Sequence, residues 1–163
     1  MKAEFLDKLA AHLTVTGLLR VHAESTEPTA RAAVEAFAGL PHFDQLWAGD
    51  LHLSLQIIIV VSADRVPGVE FARRSRLLRE RAASMSGRVK GEVQVLQLAL
   101  YDRPVPVEER QFVVEKARAA RWWPFSHGRV ATWVVAFGER ALHAGPFRGW
   151  PSELGAEQLR ALL

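Results

Sequence analysis

An α/β fold is predicted by three features of the sequence: a mixed sheet of about five strands with a parallel central pair, a C-terminal hairpin and packed helices. Residues 51–61 and 92–101 are rich in Leu, Ile and Val, and become apolar on both faces, the pattern of strands in a sheet centre. Between them lies a helical stretch long enough to carry the chain back, which favours a parallel pair with a right-handed crossover. Helix and strand patterns then alternate along the rest of the chain.

Residues 2–13 form the first helix, with Phe5, Leu6, Leu9 and Leu13 on one face, and Gly17 releases the chain. Residues 18–23 alternate as a short strand. Pro28 suits the first turn of a second helix carrying Ala33, Val34 and Phe37, which stops near Gly39 and Pro41. Residues 42–47 carry no decisive pattern, and Gly49-Asp50 reads as a turn. In the strand 51–61, Leu51, Leu53, Leu55, Ile57, Ile59 and Val61 line one face. Pro67-Gly68 opens a helix over 69–85, with Phe71, Ser75, Leu78, Ala82 and Met85 in one narrow arc and arginines around the rest; Gly87 is its stop. The strand 92–101 follows. A helix over 107–120 has Glu108 and Glu109 in its first turn, where the helix dipole favours acids. A strand over 130–137 turns through Gly138-Glu139 into 140–144, and Pro151-Ser152 introduces a terminal helix with Leu154, Leu159 and Leu162.

The chain has 163 residues, 49% apolar and 24% charged, the size and composition of one ordinary domain, so residues 1–163 are read as a single α/β unit. Cysteine is absent, which excludes disulfides and thiolate metal sites and fits a reducing compartment. The longest apolar run, Ile57 to Val61, is far below the roughly 20 residues of a membrane span. Met1-Lys2-Ala3-Glu4 does not read as a signal peptide. A complete, soluble, cytoplasmic domain is the expectation by elimination.

Net charge is only +3, but eight cations against two anions between residues 65 and 90 leave that segment at +6 and the remainder at −3. Such a segment attracts phosphates, anionic lipid or an acidic protein, or is a solvated helix face. Trp122-Trp123-Pro124-Phe125, flanked by Arg118, Arg121, His127 and Arg129, joins tryptophan to cations as membrane interfaces and binding hot spots do; the same rings also suit a cap on the core. The candidate partner-binding residues are therefore Arg73, Arg74, Arg76, Arg81, Arg118, Arg121, Trp122 and Trp123.

Catalytic signatures are missing. No phosphate-binding glycine loop, dinucleotide fingerprint or Gly-x-Ser-x-Gly elbow occurs, so no cofactor is expected. Ser126 and His127 are sequence neighbours, a poor geometry for a nucleophile and its base. His42, Asp44, Asp50 and His52 are the one cluster of metal-ligand types, although surface histidines and turn-forming aspartates explain it more simply. A nuclease reading would place Asp64 and Glu92 about a metal. Gln94 stands where that chemistry wants a lysine, and the two acids fall at opposite ends of neighbouring strands.

The strand ending Ile57-Ile58-Ile59-Val60-Val61, the basic helix, the strand Val93-Gln94-Val95-Leu96-Gln97-Leu98-Ala99-Leu100-Tyr101 and the segment Val130-Ala131-Thr132-Trp133-Val134-Val135-Ala136-Phe137 together resemble the cytosolic domain that precedes the membrane core in some bacterial rhomboid intramembrane proteases. The resemblance spans residues 50–145 and is one of element order. It implies an appended regulatory or docking domain. The family's catalytic Ser and His lie in membrane helices, so no catalytic residue carries over.

The expectation is a non-catalytic interaction domain whose basic helix and Trp-rich connection meet an anionic surface, such as the inner membrane leaflet, or an acidic protein. A nucleic-acid-associated or metal-dependent nuclease domain is the alternative. The oligomeric state stays open.

Overall fold

In the computed structural model the described residues are 1–37, 39–40, 43–86, 91–119 and 128–163, with the side chains of 86 and 117–119 left aside. Their elements are α1 (Lys2–Thr16), β1 (Leu19–Arg20), α2 (Pro28–Phe37), β2 (Gln45–Leu51), β3 (Ser54–Ser62), α3 (Gly68–Ser86), β4 (Val93–Tyr101), α4 (Val107–Ala119), β5 (Gly128–Ala136), β6 (Ala141–His143), a 3-10 turn (Ser152–Leu154) and α5 (Ala156–Arg160). The strands form one six-stranded sheet in sequential order. β3–β4 and β4–β5 are parallel, and the other three pairs are antiparallel. The expected parallel pair is therefore present and central, extended by a second parallel step through α4.

Alternation along the strands sorts the core into two layers. Leu55, Ile57, Ile59, Val61, Val95, Ala99, Tyr101 and Val134 face α2, α3 and α4, where Phe37, Phe71, Leu78 and Val113 are buried. Ile58, Val60, Leu96, Leu98, Leu100 and Trp133 face α1 and α5, meeting Phe5, Leu9, Leu13 and Leu159. Helices on both faces are why β3 and β4 read as apolar on both faces.

The stretch 51–61 is not one strand. A hairpin turn at His52-Leu53 divides it into the end of β2 and all of β3, and Gly49-Asp50 lies within β2 rather than in a turn. His52 and Leu53 have φ of 50° and 62°, a backbone that tight hairpins require but that usually selects Asn or Gly. Leu53 is 91% exposed, so it leaves the inner face assigned to it. Gly49 answers a close approach instead: a Cβ there would sit 2.9 Å from the Gly17 carbonyl oxygen.

Smaller differences follow the same logic. The first strand shrinks to two residues. The final hairpin turns through residues 137–140 rather than two residues, and Arg140 carries the positive φ of 50°. Gly138 is packed on Pro104, whose Cδ would be 2.6 Å from an added Cβ. The terminal helix is broken at Gly155 into the 3-10 turn and α5. At the start of α2, Glu27 Oε2 accepts from the backbone N–H groups of Thr29 and Ala30 at 2.9 and 3.2 Å, satisfying free donors of the first turn.

Candidate interaction surface

α3 carries the basic segment, and packing divides its arginines. Phe71, Ser75, Leu78, Ala82 and Met85 are buried as their spacing predicts, but Arg74 is buried with them at 1% exposure. This corrects its placement on the solvent side of the helix. Its Nε donates to Gln97 Oε1 at 3.2 Å, and Gln97 Nε2 donates in turn to Ser75 Oγ at 3.1 Å and Thr132 Oγ1 at 3.0 Å. Burial pulls the Arg74 pKa down and Glu70, one turn earlier, pulls it back; a guanidinium remains charged regardless.

Arg81 is also withdrawn. It is partly buried, and its Nη1 donates to the Ala36 carbonyl at 2.6 Å, a cation at the C-terminal end of α2 where the helix dipole favours one. Arg73 and Arg76 remain exposed. Arg76 meets Glu80 one turn on at 3.3 Å, an exposed pair worth little. Val69 lies one turn before Arg73 and is 67% exposed, so Val69, Arg73 and Arg76 share one outward helix face.

α4 lies beside this face. A Cβ on Gly68 would be 2.9 Å from Phe112 Cδ1, so the start of α3 and the outer side of α4 touch there. Phe112 is itself partly exposed, with the Lys116 ammonium 5.7 Å from its ring centroid. These apolar residues were missed from sequence because one exposed Val and one exposed Phe carry no periodic signal. Arg118 belongs to α4, but its side chain, with Arg121, Trp122 and Trp123, lies outside the described residues. Arg129 is paired with Glu92, and its Nη1 donates to the Arg148 carbonyl at 2.7 Å.

The other candidates separate. Asp44 Oδ2 accepts from the backbone N and the Oγ of Ser62, both at 2.6 Å, before β2 begins. Asp50 accepts from Thr29, and His52 pairs with Glu153, both near the far end of β2. At roughly 3.3 Å per residue the six-residue step from Asp44 to Asp50 is about 20 Å, beyond any shared ion. His42, Ser126 and His127 lie outside the described residues. Asp64 follows the carboxyl end of β3, where it accepts the Asp102 N–H at 3.1 Å, whereas Glu92 precedes the amino end of β4. The nuclease pair is therefore not assembled. Among the described residues no group of three His, Asp or Glu side chains is placed to hold a metal, and no helix is long and apolar enough to cross a membrane.

Neither a protein-family model, nor a curated protein, nor a solved structure matches this chain.

Proposed function

We propose that the chain is a non-catalytic interaction domain that docks on an anionic membrane surface through the outward face of α3. One observation carries the reading: Arg73 and Arg76 stay exposed on the same face as Val69, while Arg74 and Arg81 turn inward. Exposed cations next to exposed apolar side chains suit the boundary between lipid headgroups and acyl chains. Each cation near an anionic leaflet contributes on the order of 1 kcal/mol, so binding through this face is weak and salt-sensitive. The element order that resembles the cytosolic domain of rhomboid proteases is in keeping with an appended docking role, and the cytoplasmic face of a membrane is the location this reading requires.

Cosedimentation with vesicles is the test. The wild-type chain is expected to sediment with anionic vesicles more than with neutral ones, and to lose most of this near about 1 M salt. Arg73→Glu with Arg76→Glu should abolish it and leave the fold intact, since both side chains are exposed. Equal sedimentation with neutral lipid, or an unaffected double variant, rejects the reading. Binding to DNA with a steep salt dependence and none to lipid transfers the proposal to nucleic acid.

A further inference from the structure

A cleft of about 380 Å3 opens between α4, β6 and α5. Arg110 and Glu115 reach it from α4, His143 from β6 and Arg160 from α5. Arg110 Nη1 lies 3.1 Å from Glu139 Oε2 and 3.2 Å from His143 Nε2, while the same His143 nitrogen is 3.5 Å from Glu139 Oε2. A guanidinium can only donate, so the contact between Arg110 and His143 requires Nε2 as acceptor, with the neutral ring carrying its proton on Nδ1. Adding a proton to Nε2 ends that hydrogen bond, sets two cations side by side and leaves Glu139 as the ring's partner. The three groups thus have two pairings that differ by one proton.

The charge of the cleft follows that proton. Among the described residues, the charged groups that line it or contact His143 are Arg110 and Glu115 from α4, Glu139 from the turn before β6, and Arg160 from α5. With His143 neutral these two cations and two anions balance; with it protonated the cleft gains one positive charge. Arg160 Nε donates to the Leu142 carbonyl at 3.4 Å, which holds the second guanidinium at the edge of β6. The volume falls within the roughly 300–1,000 Å3 of small-molecule sites.

We propose that this cleft binds the phosphate group of a small molecule, and that binding is coupled to protonation of His143. Two guanidinium groups and the His143 ring, brought from three elements, offer three separate donor groups; the ring keeps its Nδ1–H in both states, and protonation of Nε2, held by Glu139, adds the positive charge. A phosphate monoester presents three terminal oxygens to them, a carboxylate only two. The site is independent of the outward face of α3.

Titration of the whole chain with inorganic phosphate, followed by backbone amide shifts, tests this. Sulfate is titrated in parallel because its own charge does not change over the range. Saturable shifts are expected at Leu142, His143 and Ala144. Sulfate affinity should rise about tenfold between about pH 8 and about pH 5.5, as one unit charge is added a few ångströms away. His143→Ala should remove that pH slope. Arg160→Gln should weaken binding at every pH, and Arg31→Gln, on the exposed side of α2, should leave it unchanged. Shifts caused by phosphatidic acid vesicles and not by the soluble ions support the same chemistry and assign its source to a lipid headgroup. The proposal is overturned by absence of saturable shifts with any of the three, by a pH slope that survives in His143→Ala, or by equal losses in Arg31→Gln and Arg160→Gln. If Arg160→Gln does not fold, the slope in His143→Ala still decides.

Discussion

Arg74 on α3 and Gln97 in the middle of β4 are hydrogen-bonded in the protein interior, Nε to Oε1 at 3.2 Å. Gln97 also donates to Ser75 and Thr132, so one amide links the helix to two neighbouring strands. Removing the amide leaves a buried cation and two hydroxyls without this partner, whereas removing the cation leaves one amide oxygen without it.

Gln97→Leu is therefore expected to destabilise by about 3 kcal/mol, and Arg74→Met by about 1 kcal/mol or less, since an apolar replacement of a buried charge is often neutral. Arg74→Glu with Arg81→Glu should unfold or severely destabilise the chain, unlike reversal of Arg73 and Arg76. Urea denaturation of the four variants checks the order. Equal costs for Gln97→Leu and Arg74→Met would mean that the amide is not the centre of the network.

Tyr101 is the chain's only tyrosine. It is fully buried at the end of β4, and its hydroxyl has no hydrogen-bond partner among the described residues. Burial, with help from the Glu109 carboxylate, pushes its pKa up to about 12. Because the folded value exceeds the ordinary one near 10, the stabilisation is present below about pH 10 and is lost as pH rises toward 12. Tyrosinate absorbance should therefore appear near pH 12 or together with unfolding, and Tyr101→Phe should be neutral or stabilising by about 1 kcal/mol. A midpoint near 10 with the fold intact would contradict this.

Leu55 and Ile59 are completely buried beneath the α2–α4 layer. Leu55→Ala and Ile59→Ala should each cost about 2–5 kcal/mol through the cavity left behind. His52→Ala should cost much less. Leu53→Gly should stabilise by about 0.5–1 kcal/mol, because it relieves a left-handed backbone at an exposed side chain. Thermal melts distinguish the two groups by sign.

Glu139 accepts the Val105 N–H at 2.9 Å, and this bond, with Arg110 and His143 nearby, lowers its pKa. A depressed carboxylate contributes stability above its unfolded pKa and loses it as pH falls through the folded value. Glu139→Gln should thus make the acid limb of the stability curve shallower while leaving the alkaline limb unchanged. An identical acid limb in both proteins would show that this carboxylate does not couple to folding.

The sequence by itself determined the order of most elements, the parallel β3–β4 pair and the buried arc of α3, because repeating apolar side chains report which faces must leave water. Tertiary structure alone decided the rest. The His52-Leu53 turn was hidden because neither residue is a usual choice for a left-handed backbone, so two strands read as one. Arg74 read as a surface cation because its neighbours on the helix are charged, whereas the fold buries it and brings the amide of Gln97, 23 residues away, to its Nε. Arg110 meets Glu139 and His143 across 29 and 33 residues of chain, separations that no helix or strand period reports. Periodicity is a local property and survives in the sequence; a polar contact across the fold depends on where two distant elements come to rest, and leaves no mark until they do.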